Sequence, residues 1–143
     1  MDASLNSQPS PQAHPRARAL AAFALALTIP AGLASRRWPL PGVLAEYLGD
    51  ALYAVAAAWA FALLWPGWTP RRIALAAFGA SALVELSQLW HPAWLDTVRG
   101  TMMGRLLLGS GFQVADLVAY ALGALAAGAL ARVACHWAAR PPG

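Results

Sequence analysis

Four nearly unbroken apolar stretches divide the chain, at roughly residues 17–34, 47–65, 72–90 and 114–134. Each runs about 18–21 residues. Coiled as helix, that length reaches about 27–32 Å, the thickness of a bilayer's hydrocarbon core. None of the four alternates polar and apolar residues, which disfavours a β-barrel. Backbone groups in lipid must satisfy one another within the segment, which leaves helices. The pattern predicts an all-α polytopic membrane protein, a four-transmembrane-helix bundle. Breakers separate the stretches: Pro39, Pro41 and Gly42, then Pro66, Gly67 and Pro70, then Pro92. The segment His91–Gln113 is the longest connection, yet it is not polar. Trp94, Leu95, Val98, Met102 and Leu106 recur in it at helical spacing, which predicts an interfacial or re-entrant helix between spans 3 and 4.

The flanks differ in kind. Residues 1–15 are rich in Ser, Pro and Gln and read as a disordered cytoplasmic tail. The transmembrane domain then occupies 16–137, and 138–143 form a short C-terminal tail. Arg16 and Arg18 precede an apolar run ending Gly32-Leu33-Ala34, so a cleaved signal peptide is a second reading of the first span. Six of the seven tryptophans (Trp38, Trp65, Trp68, Trp90, Trp94 and Trp137) fall near span ends, where amphipathic rings anchor at the interface. Trp59 alone is mid-span and is read as packing or facing lipid.

Composition sharpens this picture. Hydrophobic residues make up 59% of the 143 and charged residues 11%, far from a soluble domain. The basic balance, +4 at neutral pH, comes from arginines scattered between apolar stretches. They form no patch for nucleic acid and are read as topology signals. Arg16, Arg18, Arg71, Arg72, Arg132 and Arg140 fall on one side of the four-span arrangement, and Arg36, Arg37, Arg99 and Arg105 on the other. That bias favours both termini in the cytoplasm. Glu46, Asp50, Glu85, Asp96 and Asp116 all fall on the second, extracytoplasmic side. Acid–base chemistry is therefore expected at one membrane face. A single cysteine, Cys135, allows no internal disulfide.

Three constellations carry candidate chemistry. Ser81, Glu85 and Gln88 share one helix face at i, i+4 and i+7. A charge this deep costs up to about 2.5–3.5 kcal/mol at a bilayer centre, so Glu85 must be paired, neutralised or beside a wet cavity. Asp116 and Tyr120 form an i, i+4 pair opening the last span, where Ala119, Gly123 and Ala127 make a small-residue ladder. The plain alternative for Asp116 is a carboxylate favoured by the helix dipole. Asp50 and Tyr53 stand at i, i+3 beside Gly49, with Glu46 a weaker interfacial candidate. Arg99 and Arg105 offer forked donors to a phosphate or carboxylate, or else snorkel to lipid headgroups. The candidate catalytic groups are Glu85 and Asp116; the candidate ligand-binding groups are Asp50, Gln88, Arg99 and Arg105. His91, Asp96 and Glu85 lie in no metal-binding motif, and Ser87 and Ser110 lack a nucleophile-elbow context, so no metal or cofactor is expected.

The ordered set Leu40-Pro41, Tyr47-Leu-Gly-Asp50-Ala-Leu-Tyr53, Glu85-Leu-Ser-Gln88, Arg99, Gly104-Arg105-Leu-Leu-Leu-Gly109 and Asp116-Leu-Val-Ala-Tyr120-Ala-Leu-Gly123 resembles a small bacterial membrane-protein family. It is the domain-of-unknown-function family twenty-eight-oh-nine. The resemblance covers roughly residues 17–134 and implies topology and candidate residues without a reaction. More distantly, the order is similar to VanZ-like proteins, which implies a link to the envelope and glycopeptide tolerance. Those proteins usually carry Asn where this chain has Tyr120, and their loop before the Asp is organised differently.

The leading expectation is a site that binds or processes an anionic lipid or lipid-linked envelope precursor. Arginines would hold the anion, and Glu85 or Asp116 would handle a proton. A second reading is a structural or assembly protein in which the same charges form an ion network and Ala/Gly faces drive homo-oligomerisation. A third is a small transporter, which four short spans support only as an oligomer.

Overall fold

A computed structural model describes residues 13–38, 41–109 and 111–138. Within these, the side chains of 13–14, 43–46, 135 and 137–138 are not described. The expected tails, apart from 13–15 and 138, lie outside the described residues, as do Leu40 and Ser110. So do the side chains of Glu46, Cys135 and Trp137.

The described residues form six helices and no strand: α1 (Ala13–Arg37), α2 (Val43–Leu64), α3 (Pro70–Ser87), α4 (Ala93–Gly100), α5 (Met102–Leu108) and α6 (Val114–Ala138). The all-α expectation holds. The breakers act where the sequence places them. Thr69 caps α3 by accepting the Arg72 N–H at 3.3 Å, and Pro70 follows at a position needing no intrahelical donor. Pro92, extended in backbone, separates α3 from α4.

Short loops reverse the chain from α1 to α2 and from α2 to α3, and the longer segment holding α4 and α5 returns it to α6, so that α1, α2, α3 and α6 run alternately up and down. The C-terminal ends of α1 and α3 therefore meet the N-terminal ends of α2 and α6. Helix α2 packs on α1, α3 and α6.

The bundle is small inside and large outside. Ala54, Ala58, Ala77, Ala119, Ala124, Ala127 and Ala131 are buried, while Phe23, Leu27, Leu83, Leu122 and Leu125 are exposed. Helix packing in lipid favours this arrangement, because small residues let backbones approach and large apolar ones face the tails. At Gly123 the backbones of α6 and α2 come close enough that a Cβ there would strike the Ala51 carbonyl. The largest side chains under 2% exposed are polar, Glu85 and Ser81. Trp59 is buried with Ala21 and Ala131, which decides its mid-span role as packing. Trp38, Trp65, Trp90 and Trp94 are exposed near helix ends.

Two expectations are refined. Among the described residues, three helical segments, not four, are long and apolar enough to cross a membrane by length and composition: Pro15–Arg37, Tyr47–Leu64 and Val114–Ala134. Helix α3 is 18 residues long but carries Arg71, Arg72 and Glu85 within that length. The single helix expected between spans 3 and 4 is instead a pair, α4 and α5, broken at Thr101. Its backbone is extended, and its hydroxyl donates to the Val98 carbonyl at 2.7 Å and accepts the Gly104 N–H at 2.9 Å. That local bonding ends one helix and caps the next.

Candidate functional site

The alternating helix directions bring the acidic ends together. Arg36 closes α1, Asp50 and Tyr53 lie in the first turns of α2, Glu85 and Gln88 end α3, and Asp116 and Tyr120 open α6. With α5 and the segment after it, they enclose a cavity of about 370 Å³.

Glu85 is its structural knot. The residue is 1% exposed. Its Oε1 accepts the backbone N–H of Gln113 at 2.7 Å. Its Oε2 accepts the Tyr120 hydroxyl at 3.2 Å and the Gln88 amide at 3.3 Å. All three donors are neutral, and among the described residues no ion pair involves Glu85. The buried carboxylate is thus held by hydrogen bonds that join α3, the loop before α6, and α6 itself. Among the described residues, the Gln88 amide oxygen has no hydrogen-bond partner. Gly109, with φ 67° and ψ −175°, lies against Gln88; only glycine suits that backbone region, and a Cβ there would strike the Gln88 amide.

Beside this knot, Arg36 donates to Asp50 at 3.1 Å, an ion pair at the cavity rim. Tyr53 donates to the Leu107 carbonyl at 2.9 Å, tying α2 to α5, and its ring lies 6.1 Å from that of Tyr120. Arg105 also lines the cavity. Among the described residues, no hydrogen bond or ion pair holds its guanidinium.

Of the six candidates, Glu85, Asp116, Asp50, Gln88 and Arg105 meet in this one cavity. Arg99 does not line it. Its guanidinium is buried beneath the end of α3, where it donates to the Ser87 carbonyl at 2.6 Å, the Trp90 carbonyl at 2.9 Å and the Ser87 hydroxyl at 3.1 Å. Asp96 stands 3.5 Å away. Carbonyls at a helix C-terminus lack intrahelical donors and carry partial negative charge, so a cation there is favoured. We expect Arg99→Ala to lower stability by about 1.5–3 kcal/mol, read as a fall in the melting temperature of the detergent-solubilised protein. An unchanged melting curve would show that water replaces those donors without loss.

Two contributors escaped the reading of the sequence. Arg36 was legible as a topology charge, but an antiparallel hairpin between α1 and α2 sets it opposite Asp50. Gln113 acts through its main-chain N–H, which leaves no side-chain signal.

Residues 39–124 match a family described as a protein of unknown function, DUF2809. The chain belongs to the DUF2809 family. The matched region contains every acid and arginine lining the cavity except Arg36, which precedes it. No solved structure matches the DUF2809 chain.

Proposed function

We propose that this DUF2809 protein is a bacterial inner-membrane protein whose cavity binds the anionic head of an envelope or lipid-linked compound. In this reading α3 is a fourth crossing. It is about 27 Å long, lies between α2 and α6, and turns Leu75, Phe78, Leu83 and Leu86 outward. Helices α4 and α5 lie at the interface, with Trp94, Val98, Met102 and Met103 exposed for lipid contact. Arginine bias places both termini in the cytoplasm and the cavity at the outer face. An envelope role agrees with the distant VanZ-like resemblance.

The observation that carries the proposal is Arg105, a guanidinium lining a polar cavity with no hydrogen bond or ion pair among the described residues. A forked donor so placed is suited to phosphate or carboxylate. Arg36, held by Asp50, is the second cation of the lining. Glu85 and Asp116 are the groups that would exchange a proton if the ligand is processed, and Gln88 supplies an open acceptor. Arg99 positions the end of α3. We expect Arg105→Gln to weaken binding of an alkyl phosphate in detergent roughly 10–100-fold, the equivalent of about 1.5–3 kcal/mol for a charged hydrogen bond. Melting should be unchanged, because the side chain is exposed and makes no hydrogen bond or ion pair among the described residues. Equal affinity in both proteins would sink the proposal.

A structural role is the second reading. It is favoured by the Glu85 hydrogen bonds, which join α3 to α6 without reference to any ligand.

A further inference from the structure

An apolar groove of about 540 Å³ runs between α1 and α2 and ends under α5. Ile29 and Leu33 form one wall, and Ala56 and Ala60 form the other. The two alanines stand one helical turn apart, so α2 presents methyl groups where larger side chains would close the gap. Helix α5 covers one end with Met103.

This groove adjoins the polar cavity. Arg36, Tyr53, Leu106 and Leu107 line both. Arg36 is therefore the cation at the junction, and Arg105, without a hydrogen bond or ion pair among the described residues, immediately precedes Leu106. A space whose polar end carries the Arg36 and Arg105 guanidiniums beside Asp50, Glu85 and Asp116, and whose other end is long and apolar, is complementary to an amphiphile, whereas a water-soluble anion would use only the first part. A hydrocarbon chain in the second part meets a surface of its own polarity, and close packing along the groove is what would favour it over the lipid tails outside.

We propose that the occupant is a membrane amphiphile with a phosphate-class head, one hydrocarbon chain of which lies along the groove between α1 and α2. This deepens the preceding reading and rests on it: the head occupies the Arg36–Arg105 end, and the chain supplies the selection for a lipid source over a soluble one.

The test compares butyl phosphate with dodecyl phosphate. Both are titrated against the full-length protein in one non-ionic detergent, with wild type, Ala56→Leu, Ala60→Leu and Arg105→Gln. Wild type is expected to bind dodecyl phosphate roughly tenfold or more tightly than butyl phosphate. Ala60→Leu and Ala56→Leu should remove that gain while leaving butyl phosphate binding intact, which also shows that each variant is folded. Arg105→Gln should weaken both probes alike.

If wild type binds both probes equally, the groove assignment fails and the head site survives. If the alanine variants keep the full gain, the gain reflects the micelle and the groove assignment again fails. If neither probe binds wild type, the head site itself is wrong, and the groove proposal falls with it.

Discussion

A Glu85→Leu variant is expected to melt far below the wild type, by the equivalent of about 2–6 kcal/mol. The carboxylate accepts the Tyr120 hydroxyl, the Gln88 amide and the Gln113 N–H. Leucine fills the volume but accepts nothing. Tyr120 and Gln88 are both 5% exposed, so their donors are orphaned where water does not reach, at about 1–3 kcal/mol each. The Gln113 residue is exposed, and its N–H can be rehydrated more readily. Replacing a whole polar cluster by apolar groups is often tolerated, but removing one member of it is not. Glu85→Gln separates the two readings of the site. It retains one oxygen to accept from Gln113 and turns an amide N–H toward Tyr120 and Gln88, whose hydroxyl and amide oxygen can turn to accept it, so only part of the penalty should remain. Thermal melting in detergent checks both variants. Should Glu85→Gln melt at or above the wild type while losing alkyl phosphate binding, the acid is kept at the expense of the fold, and a functional role follows. Matched losses of stability with binding preserved would leave the acid as a helix tie.

The second large effect is expected at the contact of α2 with α6. Gly123→Leu should destabilise the bundle by about 1–3 kcal/mol or more, because a side chain cannot be accommodated where even a Cβ would strike the Ala51 carbonyl. The obstacle is backbone, so relief requires separating two helices that pack closely through Ala54, Ala58, Ala119 and Ala127. The exposed Leu125, two residues along α6, is the control: Leu125→Ala should change melting little. The two curves, measured in one detergent, give the comparison. A Gly123→Leu protein as stable as wild type would mean that α2 and α6 are not held at this distance.

Much of this was readable from the chain alone. Hydrophobic runs longer than any soluble strand, separated by proline and glycine, predict the helices α1, α2, α3 and α6 because lipid and backbone bonding permit little else. The i, i+4 spacing put Asp116 with Tyr120, and Glu85 with Ser81, on shared faces because helical geometry is local. Parity of the spans gathered the acids at one end. The tertiary structure decided what spacing cannot encode. It set Arg36 against Asp50 across the α1–α2 hairpin, and gave Glu85 a main-chain donor from Gln113, 28 residues away. It moved Arg99 out of the cavity and onto the carbonyls of α3. It split the expected interfacial helix at Thr101, where a hydroxyl competing for backbone groups outweighs helical propensity. These outcomes depend on which helix faces which, and that is settled by packing between distant segments rather than by any local pattern of residues.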